Sequence, residues 1–165
     1  MSDDDVDELG ANWPAQPTIK SLAFQDRGKL FGNFSYVSSP VANNPEAITI
    51  TDSWAKDNIT SVMIKQLHGV KGAPSSCRVQ FHKKLESQLV HLFDAWESEC
   101  LTSHLKTWGG SWVPRFIRGS RTSLSNHAWG TAFDINVQWN MLGTVPALKG
   151  KEGSVRELVE IAYEH

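Results

Sequence analysis

The chain has 165 residues, of which 40% are hydrophobic and 21% charged, with a formal net charge of −2 and a pI near 6.3. That length and apolar fraction support one soluble domain with a sizeable core and argue against disorder. The near-neutral balance lacks the clustered Lys and Arg of a nucleic-acid binder, and no apolar run reaches membrane-spanning length, so neither nucleic acid nor membrane insertion is expected.

Residues 1–9 carry five carboxylates, too much charge to bury, and read as a mobile acidic leader. Residues 10–76 read as an N-terminal section of short strands. Leu22 to Tyr36, with Leu30, Phe31, Phe34 and Tyr36 around Gly28 and Gly32, suits strands and a turn. Ser38 to Pro45 is loop, while Ala47 to Thr51 and Ser61 to Leu67 read as strands of a small antiparallel sheet. Gly69 to Ser76, rich in Gly, Pro and Ser, marks the boundary with a second section, 77–165, expected to form one compact unit with the first.

Beyond that boundary the period changes. Leu85, Leu89, Leu92, Phe93 and Trp96 recur at helical spacing and predict one amphipathic helix from about His82 to Leu101. His82 and His91 lie near it as surface or boundary residues, nine positions apart and so off a common i, i+4 metal-binding face. Trp108 to Ser111 reads as a turn and Trp112 to Arg118 as a strand with Pro114 at an edge or bulge. Asn140 to Gly153 is a long loop. Ser154 with Glu157 forms a capping box for a second helix, with Val155, Leu158, Val159 and Ala162 inward. The fold class expected is α+β, a small antiparallel sheet with packed helices. Cys77 and Cys100 are too few and scattered for a disulfide scaffold and read as free thiols.

The chemistry concentrates between Ser125 and Asn136. If Thr131 to Val137 is a strand, Phe133, Ile135 and Val137 point one way and Ala132, Asp134 and Asn136 the other. A carboxylate among such neighbours requires a partner or a cation. His127, in a loop marked by Asn126 and Gly130, can fold its imidazole over that polar face, and Gly130 with Ala132 leaves room for an ion. His127 and Asp134 thus read either as two ligands of a zinc site or as a hydrogen-bonded structural pair. Neither cysteine belongs to a nucleophile signature and no Gly-x-Ser-x-Gly elbow exists.

The pattern Ser-x-His-x-x-Gly-x-Ala-x-Asp, here Ser125, His127, Gly130, Ala132 and Asp134, resembles the zinc D-alanyl-D-alanine carboxypeptidase and L-alanyl-D-glutamate peptidase family. Residues 112–120 and 153–159 look like the phage and prophage cell-wall branch of that family, and the likeness covers roughly Val79 to His165. The resemblance implies a Hedgehog/DD-peptidase-like fold, a Zn2+ cofactor held by His127 and Asp134, and a peptidoglycan peptide as substrate. It further implies a third ligand, a histidine near the C-terminus, and an acidic general base three positions before it. Here the last histidine is His165, preceded three positions earlier by Ala162. The chain is therefore expected to be a C-terminally incomplete version, lacking third ligand and base and holding zinc weakly if at all.

Arg115, Arg118 and Arg121 precede the motif, and a guanidinium beside zinc could clamp a peptide carboxylate, the alternative being a solvated basic patch. Arg115 and Arg118 are favoured for substrate, although alternation puts them on opposite faces so that only one reaches the site. Ser125 either contacts substrate or stabilises the turn, and Trp129 is the tryptophan expected to line a cleft while the others default to core. A catalytically inactive module that only binds wall peptides is the alternative function, and a non-enzymatic signalling domain is a third, because Hedgehog proteins share the fold. The N-terminus lacks the basic and apolar regions of a signal peptide, so synthesis is expected in the cytoplasm, which leaves open action at the cell wall after release, as for a phage lysis enzyme.

Overall fold

The structure, a computed structural model, describes Thr18 and residues 22–165. The expected acidic leader lies outside the described residues. Helix α1, Phe24–Phe31, replaces the strands and turn expected over Leu22 to Tyr36. Tertiary contact explains the difference. Trp54 Nε1 donates to the Phe31 carbonyl at 2.9 Å, satisfying one of the last carbonyls of the helix, while Gly32 closes it at φ 87° with its N–H on the Gly28 carbonyl.

Strands β1, Tyr36–Ser38, and β2, Ile48–Ile50, pair antiparallel across the expected 38–45 loop. A short helix α2, Trp54–Asn58, leads into β3, Ile59–Met63, which pairs antiparallel with β4, Arg78–His82. The strand expected to run to Leu67 stops at Met63 and gives way to a 3-10 turn over Lys65–Leu67. Residues 69–76 lie within the connection between β3 and β4, so the two pair directly across the Gly- and Ser-rich stretch. Helix α3, Glu86–Ser98, follows as its periodicity requires, with Leu89, Phe93 and Trp96 buried at i, i+4, i+7.

Strand β5, Trp108–Gly110, stands where a turn was expected, and pairs antiparallel with β6, Asp134–Ile135. The strand expected over Trp112 to Arg118 is instead an irregular segment held by isolated bridges, Ala47 to Arg115 and Phe116 to Leu124. The strand expected over Thr131 to Val137 shortens to β6 because Asn136 turns out of it at φ 51°. Asn136 is fully buried: its Oδ1 accepts from the Lys106 and Thr107 amides, and its Nδ2 donates to the His104 and Gly153 carbonyls. These four bonds outweigh the modest cost of a left-handed asparagine. Helix α4, Arg156–Glu164, closes the chain with Leu158 inward; Ser154 Oγ reaches the Glu157 carboxylate as expected of the capping pair, but it stands two residues before the first helical residue.

The described residues form an α+β arrangement of three two-stranded antiparallel sheets and packed helices. Two cores form. One gathers Val62, Ile64, Val79, Phe81, Phe93, Trp96 and Trp108 with their neighbours, and the other Ile48, Trp54, Phe116, Leu124, Ala128 and Trp129. Among the described residues no helix is long and apolar enough to cross a membrane.

Candidate functional site

The segment from Ser125 to Asp134 runs from one core to the other, and this fixes the site. Ser125 caps a 3-10 turn over Asn126–Trp129, its hydroxyl accepting from the His127 amide at 3.4 Å. Ala128 and Trp129 anchor that turn in the second core, while Phe133, stacked on Trp108 at 5.6 Å between centroids, anchors the entry to β6 in the first. Gly130 makes the crossing at φ 65°. A Cβ there would stand 2.8 Å from Ile59 Cδ1 and 3.1 Å from the His82 amide nitrogen, which donates to the Gly130 carbonyl at 2.8 Å. Only glycine satisfies both the left-handed backbone and this close approach.

His127 and Asp134 meet as the motif predicts, His127 Nε2 lying 3.3 Å from Asp134 Oδ2. The imidazole is buried, whereas the carboxylate side chain is 48% exposed and opens to the cleft. On the far side of the ring, Nδ1 lies 2.7 Å from the Ser111 carbonyl oxygen. A carbonyl only accepts, so Nδ1 carries a proton, and in the neutral ring the Nε2 lone pair then faces a carboxylate. A cation between them resolves that opposition: a proton, giving imidazolium, or a metal ion. With the proton in that place, the hydrogen bond from His127 holds the Asp134 carboxyl below its ordinary range, against the effect of burial, and Arg115 and Arg118 add to it.

The residues fit a zinc ion in donor chemistry. An imidazole nitrogen and a carboxylate oxygen are ordinary zinc donors, and a ligating histidine typically donates its other N–H to a carbonyl, as His127 does to Ser111. Among the described residues no third His, Cys, Asp or Glu joins them. His165 stands elsewhere, at an apolar groove of about 360 Å3 lined by Phe81, Leu85, Leu89 and Phe133; that groove and the site cleft share Ala132.

His127 and Asp134 open onto a cleft of about 610 Å3. Arg115 and Arg118 both line it, which corrects the expectation that alternation admits one: the irregular segment they occupy has no period-two faces. Arg115 donates to the Phe116 carbonyl at 3.1 Å, and burial together with the nearby Arg118 lowers its pKa; it stays charged at neutral pH. Arg118 is engaged, donating to Glu46 at 2.7 Å and Asn44 at 3.0 Å. Arg121 lines a different depression with Glu46 and Phe116. Ser125 both caps the turn and borders the cleft.

Trp129 does not line the cleft. It is 1% exposed, its Nε1 donates to the Gly32 carbonyl at 3.0 Å, and it packs against Phe34, so its place is the core beneath the site. His82, expected at the surface or a boundary, is fully buried between Phe31 and Trp54. Three polar cleft residues escape sequence reasoning: Arg27, Asn126 and Asn140. Asn126 sits inside the motif and could have been flagged there, but Arg27 lies 99 positions upstream of it and nothing local marks it. The comparisons with known families, with curated proteins and with solved structures each find no match.

Proposed function

We propose that this chain is a zinc metallopeptidase of the D-alanyl-D-alanine carboxypeptidase and L-alanyl-D-glutamate peptidase type, on a Hedgehog/DD-peptidase-like fold, acting on peptidoglycan stem peptides. One observation carries the reading. The His127 Nε2 lone pair is aimed at the Asp134 carboxylate while Nδ1 is committed to the Ser111 carbonyl, an arrangement that calls for a cation at that point. His127 and Asp134 would hold zinc, which when bound polarises a scissile carbonyl and acidifies a water.

The chain's own residues do the rest. Arg115, half-buried and without a carboxylate partner among the described residues, orients an anionic peptide group in the cleft, and Arg118 reinforces the positive field beside Asp134. Ser125 fixes the turn that aims the imidazole. With two protein ligands among the described residues, zinc is expected to be held weakly and turnover to be slow. The test is mass spectrometry of purified muropeptides incubated with the zinc-supplied protein. Cleavage that Asp134→Ala abolishes supports the reading, and the product masses tell release of terminal D-alanine from cleavage between L-alanine and D-glutamate.

A second reading, a peptide-binding module without catalysis, is favoured by the direct His127 to Asp134 contact, which a proton alone can satisfy. Muropeptide binding that persists without cleavage at saturating zinc would favour it.

A further inference from the structure

We infer that Arg27, on helix α1, determines the ligand specificity of the cleft: with Arg115 it recognises a free carboxylate at the end of a bound peptide. The inference rests on reading the cleft as a peptide site and adds to it a residue outside the motif region. Helix α1 delivers Arg27 to the His127 turn, where Nη1 donates to Asn126 Oδ1 and the guanidinium carbon lies 5.5 Å from the centroid of the Trp129 ring. The asparagine and the indole fix the plane of the group. Of its five N–H donors, that hydrogen bond uses one, and Nε is buried with no hydrogen-bond partner. A buried, unsatisfied guanidinium donor bordering a cleft is costly unless a ligand completes it.

Charge points the same way. Of the three guanidiniums lining the cleft among the described residues, Arg118 is ion-paired with Glu46, but no carboxylate forms an ion pair with Arg27 or Arg115. Among the described residues the one carboxylate lining the cleft, Asp134, faces His127. Two planar forks without acidic partners match the geometry of a carboxylate better than that of a point charge. Ile117, Val137 and Leu142, 46, 44 and 91% exposed, form an apolar border, which suits a ligand carrying small aliphatic side chains next to its charged end.

The test is isothermal titration calorimetry of the whole chain, without added metal so that hydrolysis does not intervene, against N-acetyl-D-alanyl-D-alanine, its C-terminal amide and inorganic phosphate. The free acid is expected to bind at least about tenfold more tightly than the amide, the scale of one charge-assisted hydrogen bond. Arg27→Gln is expected to remove that preference by weakening the acid and leaving the amide unchanged, with circular dichroism melting establishing that the variant is folded. Should Arg27→Gln not fold, Arg27→Lys decides, since it keeps the charge and loses the fork and is expected to lose most of the preference. Equal binding of acid and amide to the wild type, absence of acid binding, or a folded Arg27 variant with full preference overturns the inference, as does phosphate binding more tightly than the acid. Asp134→Ala is expected to keep the acid preference while losing zinc, so failure of the metal reading and failure of the clamp give different results.

Discussion

A histidine with Nδ1 committed to a carbonyl has one lone pair left, and in this protein that lone pair meets a carboxylate. The positions of both groups depend on glycines that leave no room for error. At Gly109 an added Cβ would stand 2.8 Å from both Asp134 Cβ and Val137 Cγ2, so β5 packs directly under the acidic residue. At Gly130 the obstacle is conformational as well as steric. Gly130→Ala is therefore expected to cost about 1–2 kcal/mol from the left-handed backbone alone, with the approach to Ile59 and His82 adding to it. Chemical denaturation checks this, and an unchanged midpoint would mean that the crossing is not tightly packed.

At the scale of elements, His82 at the end of β4 ties α1 to the sheet. Its Nδ1 accepts from the Lys84 amide at 3.2 Å and its Nε2 donates to the Phe31 carbonyl at 3.2 Å, so the neutral ring is fully satisfied. Burial, with Lys84 and Lys83 nearby, lowers its pKa. The unfolded chain then takes up a proton near pH 6.5 that the folded chain refuses, so the contribution is complete above that pH and is lost as pH falls below it, by at most about 1.4 kcal/mol per pH unit. Denaturation at pH 8 and pH 5.5 is expected to show this loss in the wild type and a smaller one in His82→Gln; equal losses would contradict it. At the start of α4, Ser154 Oγ accepts from the Arg156 amide at 3.3 Å and bonds Glu157. Ser154→Ala is expected to destabilise by about 1 kcal/mol, the net worth of a buried hydrogen bond, read as a lower melting temperature.

Helices α3 and α4 are legible in the sequence because their apolar residues repeat at 3.6 spacing. The repeat buries Leu89, Phe93 and Trp96 in α3 but only Leu158 of the stripe in α4, where Val155 and Ala162 pack partly buried against the same core and Val159 stays half-exposed. Helix α1 is not legible, because Gly28 and Gly32 read as turn residues and its stability comes from Trp54 and His82, which no local pattern announces. The motif predicted that His127 and Asp134 meet, since both lie in one ten-residue segment. The shortness of β6 was hidden because Asn136 leaves the strand for partners at 104, 106, 107 and 153. Strand alternation places Arg115 and Arg118 on opposite faces although both line the cleft, and no local pattern marks Arg27, for the same reason: their placement is set by contacts between distant segments.

Over the whole molecule, two cores meet along the segment that carries the motif, and the cleft opens at their seam. The second core brings the imidazole, the first brings the carboxylate, and the N-terminal helix brings a guanidinium. His127 and Asp134 share a cation that can be zinc, and competition with a chromophoric chelator measures zinc affinity for the wild type, His127→Ala and Asp134→Ala. One weakly held zinc per wild-type chain is expected, bound at least about tenfold less tightly in either variant, since each removes a ligand. A zinc affinity that neither substitution changes, or no zinc uptake by the wild type, would contradict it.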